Sequence, residues 1–176
     1  MFLTNVRDFF FLQTIYKKVR DIMDTFFTTR EFEGRAKWMN INIRDILRGR
    51  KIIAFTVDDY DGVDFFMTAF TSAITESVGE IKTIHRNYTK YDNFQIDYKK
   101  LKNLQDVAKI DNRIPYLVCF FDDYTIVWDI TDINLEERKY NQYCTSTTAN
   151  YEKGKKEKEE VWLTKEESIW FTSTTL

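Results

Sequence analysis

The sequence predicts an α/β protein of one domain, with elements in the order helix, three strands, helix, strand, followed by a C-terminal β extension. Three observations predict it. Apolar residues recur at three- and four-residue spacing near the N-terminus and again after Asp97, which marks amphipathic helices. β-Branched and alternating segments lie close together between residues 52 and 85. The continuous apolar run Tyr116-Leu117-Val118-Cys119-Phe120-Phe121 has the character of a central strand buried on both faces.

Taken in order, residues Asn5 to Phe27 place Val6, Phe9, Phe10, Tyr16, Val19, Met23 and Phe26 on one helical stripe, with Thr4 or Asn5 as its cap. Arg30 to Arg48 is mixed and charged, and is expected to form short helices or turns ending near Gly49. Ile52 to Val57 is a strand closed by the Asp58-Asp59-Tyr60-Asp61-Gly62 turn cluster. Val63 to Ile74 is expected as the second strand, Thr75 to Gly79 as a turn, and Glu80 to His85 as a third strand with strict alternation. From Asp97 onward Leu101, Leu104, Val107, Ala108 and Ile110 are expected on one helical face. Pro115 opens the buried strand, and Asp122-Asp123 turns it into Thr125 to Ile130. In the tail, Tyr151 to Glu160 is a mixed-charge run expected as a solvated connection or hairpin tip. The whole chain, 1–176, is expected as one domain, with a core over about 1–130 and an extension over 131–176.

Composition narrows the function classes. A chain that is 43% hydrophobic and 16% aromatic carries enough apolar surface to offset its chain entropy, so it folds. A formal net charge of −2 leaves no global field to draw it onto a polyanion or an anionic membrane. No apolar stretch has the length of a membrane span or a signal core, so the expected location is the cytoplasm, with no membrane partner. Two cysteines and one histidine encode neither a disulfide framework nor a zinc ribbon, and Cys119 in its apolar run is a small buried hydrophobe. Glycine loops for nucleotides and a G-x-S-x-G elbow do not occur.

One constellation carries chemistry. In Gly79-Glu80-Ile81-Lys82-Thr83-Ile84 an acid and a base stand two residues apart on a strand, so both project to one face about 6–7 Å apart. Asp64 opens the strand that precedes them. Two carboxylates at one sheet edge repel each other unless a cation lies between them, and a hard divalent ion with oxygen ligands, Mg²⁺ or Mn²⁺, fits. Such a site would polarise a phosphodiester, with Lys82 orienting water or offsetting charge in the transition state.

The element order together with Asp64 and the Glu80-Ile81-Lys82 triplet resembles the PD-(D/E)XK nuclease superfamily, over about residues 1–130. The resemblance implies a restriction-endonuclease-like core: a central mixed sheet flanked by helices. It also implies that Asp64 and Glu80 ligate the metal, that the Ile81 carbonyl is an extra ligand, and that Lys82 activates water. The proline of the family name is absent, since Val63 precedes Asp64, and this leaves Asp61 as a rival for the first carboxylate. Asp64 is preferred because an apolar strand follows it directly. The family further implies a glutamate from the first helical region, Glu33 or Glu31, and a Lys or Gln from the second helix, Lys99 or Gln105. His85, Arg86, Lys90, Lys100 and Lys102 form a basic stretch near the triplet and are the expected nucleic-acid contacts. The function expected is Mg²⁺- or Mn²⁺-dependent DNA cleavage in recombination, repair, packaging or defence. A homodimer or larger assembly would suit double-strand cutting. The alternative from another class is an inactive member of the fold that serves as a structural or protein-binding part of a larger phage assembly.

Overall fold

A computed structural model describes residues 29–56, 62–70, 76–90, 93–145 and 155–173. Its elements run α1 (Thr29–Leu47), β1 (Lys51–Phe55), β2 (Phe65–Ala69), β3 (Ser77–Ile84), β4 (Asn93–Asp97), α2 (Tyr98–Asp111), β5 (Ile114–Phe121), β6 (Tyr124–Asp129), α3 (Leu135–Arg138), β7 (Lys139–Thr145), β8 (Lys155–Thr164) and β9 (Trp170–Ser173), with 3₁₀ turns at Tyr88–Lys90 and Lys165–Glu167. The expected helix over Asn5 to Phe27 lies outside the described residues.

The chain is a mixed α/β protein. Its main sheet has six strands in the order β1-β2-β3-β5-β6-β9. The first three form an antiparallel meander, β5 runs parallel to β3, and β6 and β9 follow antiparallel. A parallel pair needs a crossover, and β4 with α2 supplies it. A second, antiparallel sheet has the order β4-β8-β7.

The stretch expected as short helices or turns is one continuous helix, α1. Its inward face explains why the apolar pattern is weak: the buried positions are Gly34, Arg35, Trp38 and Asn42, of which only Trp38 is a large hydrophobe. Spaced at one and two turns they still form a helical stripe. A Cβ on Gly34 would stand 2.7 Å from both Ile81 Cγ2 and Thr83 Oγ1, so glycine lets α1 lie close against β3. Asn42 is satisfied by donating to the Trp38 carbonyl (2.8 Å) and accepting from the buried Lys51 ammonium (2.8 Å). Gly49, at φ +64°, ends the helix where expected.

Strand bounds also shift. β3 begins at Ser77, so Ser77 to Gly79 belongs to a strand and not to a turn, and β2 occupies Phe65–Ala69 within the longer stretch expected. A Cβ on Gly79 would collide with the ring of Phe65, its cross-strand partner, and lie 2.7 Å from the Tyr116 carbonyl. Lys155–Glu160, expected as a solvated connection, is the first half of β8 and pairs with β7. It lacks apolar alternation because its partners are polar as well. Only from Val161 does β8 enter the core.

Two cores sandwich the main sheet. On one face Trp38 of α1 packs with Phe65, Met67, Ile81, Val118 and Phe120. On the other, α2 contributes Leu101 and Leu104, the second sheet contributes Phe94, Ile96, Val161 and Leu163, and the main sheet contributes Leu117, Ile126 and Trp128. The Trp128 indole stacks on Phe94 with centroids 5.9 Å apart, and its N–H donates to the Thr164 carbonyl at 2.7 Å, tying the two sheets together. α2 starts where expected: Asp97 accepts from the Lys99 N–H at 2.9 Å as its N-cap, and Asn112, in the left-handed conformation, closes it. Cys119 is fully buried, as expected, and burial pushes its thiol well above the usual range. Among the described residues no helix is long and apolar enough to cross a membrane.

Candidate active site

The site forms where β2 leaves β3. The two strands pair only from Met67↔Ser77 to Phe65↔Gly79, so beyond Gly79 the edge of β3 loses its partner and the Ile81 N–H faces outward. An orphaned N–H at a sheet edge needs an acceptor. Asp64 provides it: its Oδ2 accepts from the Ile81 N–H at 2.6 Å, while its own N–H donates to the Gly79 carbonyl at 2.8 Å. The Asp64 carbonyl accepts from the Thr56 N–H at 3.0 Å, so its backbone is held on both sides. In an extended strand a residue's N–H and C=O leave on the same edge, which puts the Ile81 carbonyl on the edge Asp64 occupies.

Glu80 and Lys82 flank Ile81 and project to the face covered by α2. Glu80 is only 5% exposed, and its Oε1 accepts from two ammonium groups, that of Lys82 and, at 3.1 Å, that of Lys100 in the first turn of α2. From the opposite face α1 sends in Arg35, itself 4% exposed, whose guanidinium donates to the Thr56 carbonyl at 2.7 Å and pairs with Asp64 Oδ1 at 3.4 Å. Two carboxylates and three cations therefore meet at one strand edge.

Their titration follows from that arrangement. Burial raises Asp64 above the usual carboxylate range, the negative charge of Glu80 raises it further, and the Ile81 N–H, Lys82 and Arg35 offset only part of this. Burial alone would raise Glu80 too, but the Lys82 and Lys100 ammonium groups outweigh it and hold Glu80 below its ordinary value. Lys82 is pulled down by burial and pushed up more strongly by Glu80 and Asp64, so it is raised and stays charged at neutral pH.

The chemistry of the donors fits a hard divalent cation. Asp64 keeps a proton more tightly than usual because burial, and then the charge of Glu80, disfavour its ionised form, and a dication placed between the two carboxylates would remove the repulsion. Among the described residues no three His, Cys, Asp or Glu side chains gather at one point. Ligands beyond the two carboxylates would therefore be the Ile81 carbonyl, water and substrate oxygens, the mix that Mg²⁺ accepts.

The remaining candidates are spread more widely. Glu33 pairs with Lys37 at 2.6 Å and approaches His85 Nε2 at 3.6 Å, beyond the C-terminal end of β3, while His85 Nδ1 lies 3.7 Å from Asp122. Gln105 donates to the Ile130 and Ile133 carbonyls at 2.6 and 3.0 Å, which fixes it to the loop after β6. Lys99 and Arg86 are exposed, and Lys102 pairs with Asp106 at 2.6 Å on the surface of α2. Lys90 belongs to the 3₁₀ turn after β3. Asp61 and the side chain of Glu31 lie outside the described residues. Sequence reasoning missed Arg35 altogether and placed Lys100 on a diffuse basic surface rather than on Glu80. The sequence offered no signal for Arg35, because a mixed, charged segment does not show which cation turns inward. Compared with known proteins, the chain matches no family model and no curated protein.

Proposed function

We propose that this protein is a Mg²⁺- or Mn²⁺-dependent nuclease with a restriction-endonuclease-like core, and that Asp64, Glu80 and Lys82 form its reaction centre. The observation that carries the reading is the Asp64 carboxylate seated on the backbone of the Glu80-Ile81-Lys82 triplet, 2.6 Å from the Ile81 N–H. The order α1-β1-β2-β3-β4-α2-β5, in which every strand but β4 belongs to one mixed sheet, supports it. Asp64 and Glu80, with the Ile81 carbonyl, would hold the ion. When bound, it would polarise a phosphoryl oxygen and lower the pKa of a coordinated water.

Lys82 acts as a charged donor rather than a base, because Glu80 and Asp64 keep its ammonium protonated. It would orient the attacking water and offset negative charge growing on the phosphoryl oxygens. Arg35 fixes the carboxylate plane of Asp64 from behind. The substrate proposed is DNA, bound through lysines of α2 rather than by a global field, since the chain carries a net charge of −2.

A second reading has its own observation: three cations already surround the two carboxylates, as in a structural ion-pair network of an inactive protein that serves a larger assembly. Incubation with plasmid and linear DNA in Mg²⁺, Mn²⁺ or EDTA separates the two. The nuclease reading predicts cleavage that EDTA stops and that Glu80→Gln and Lys82→Ala abolish. Intact DNA under every condition, from protein of normal stability, selects the second.

A further inference from the structure

We infer that Lys100 is a displaceable counter-ion: it neutralises Glu80 while no metal is bound, and gives up that place to a divalent cation, turning its ammonium toward a substrate phosphate. The inference rests on the nuclease reading and deepens it. It starts from the unequal way the three cations around Asp64 and Glu80 are held.

Arg35 is 5% exposed along its side chain and is anchored twice, on the Thr56 carbonyl and on Asp64, so it cannot withdraw without orphaning the carbonyl. Lys82 shares a strand and a face with Glu80, and its side chain is 32% exposed. Lys100 differs from both. It reaches Glu80 from another element, shares Oε1 with Lys82, and is 55% exposed, so solvent is open to its long flexible stem. A dication between the two carboxylates would add two positive charges to a cluster that already holds three against two. Repulsion of that kind is relieved by moving the most loosely held cation, and that is Lys100. Its release leaves Lys82 as the one ammonium on Glu80 Oε1 and opens the carboxylate to the ion. The ammonium that leaves is tethered to the first turn of α2 on a side chain open to solvent, where a phosphodiester oxygen would meet it. The same side chain therefore lowers metal affinity in the free protein and raises affinity for the nucleic acid once metal is present.

The test separates these two effects. Mn²⁺ binding to the intact chain, followed by electron paramagnetic resonance without nucleic acid, is compared for wild type, Lys100→Met and Lys100→Arg, with thermal melts to confirm folding. Lys100→Met should bind Mn²⁺ about tenfold more tightly than wild type, because a competing charge is gone, while Lys100→Arg returns the affinity toward wild type. In saturating Mn²⁺, Lys100→Met should bind a DNA duplex about tenfold more weakly, in assays on the Glu80-intact protein with a non-cleavable phosphorothioate linkage. Equal or weaker Mn²⁺ affinity in a folded Lys100→Met protein overturns the inference and leaves the nuclease reading standing. Wild type that binds no Mn²⁺ overturns both.

Discussion

Asp64 is the residue on which the site turns, because the strand edge and the proposed chemistry depend on the same carboxylate. One oxygen covers an orphaned strand N–H and the other faces Arg35. Removing Arg35 by Arg35→Ala leaves Asp64 Oδ1 without its guanidinium and the Thr56 carbonyl without that donor, and should cost about 3 kcal/mol in urea denaturation. A loss under about 1 kcal/mol would show that the pair is incidental. Glu80 contributes to the pH response of the metal-free protein. Its folded value lies below the ordinary glutamate value of 4.5, so its contribution to stability is present above 4.5 and is lost as pH falls through the folded value. In EDTA, the melting-temperature advantage of wild type over Glu80→Gln should therefore shrink as pH drops below 4.5. An advantage that grows in acid would reverse the sign and remove the Lys82 and Lys100 pairings as its cause. At this scale the two carboxylates and Lys82 were legible, because an acid and a base at two-residue spacing on a strand must share a face. Arg35 was not, since a charged helix gives no sign of which cation turns inward.

Among the elements, α1 and β3 decide the geometry together, and Gly34 is where they touch. A methyl group there meets Ile81 and Thr83, on either side of Lys82, at 2.7 Å. Gly34→Ala should lower stability by about 1–3 kcal/mol by forcing the helix outward. Under the proposed nuclease function it should also slow cleavage by drawing Arg35 away from Asp64. A Gly34→Ala protein as stable and as active as wild type would place α1 farther from β3 than described. The helix itself escaped the sequence because its buried stripe is built of Gly, Arg, Trp and Asn instead of aliphatic residues. α2 was legible for the opposite reason: Asp97 caps it, and Leu101, Leu104 and Ala108 form a plain apolar stripe. β8 hid because a strand whose outer half pairs with another polar strand has no alternation to display, and β4 hid because five residues beside a longer helix make a weak pattern.

At the scale of the whole molecule, the C-terminal extension is woven into the core. β8 lies between β4 and β7, and β9 completes the main sheet beside β6. Leu163 and Leu117 come from different sheets and are both fully buried in one cluster. Leu163→Ala and Leu117→Ala should each cost about 2–5 kcal/mol and lower the same single calorimetric transition. Glu157→Ala, on the exposed half of the β7–β8 arm, should change stability by under about 0.5 kcal/mol. Two separable transitions would mean that the sheets fold independently. Of the elements through β6, the strands β1, β2, β3, β5 and β6 and the helix α2 were legible from residue pattern, whereas α1 and β4 were not, and the pairing of β4 with β8, distant in sequence, has no local signature.

The most direct measurement is anomalous diffraction from crystals soaked in Mn²⁺. The account predicts one strong peak at the edge of β3, within about 2.0–2.3 Å of an Asp64 oxygen, a Glu80 oxygen and the Ile81 carbonyl, with Lys82 beside it. An intact fold with no peak there, and with Lys82 and Lys100 still on Glu80, would contradict it.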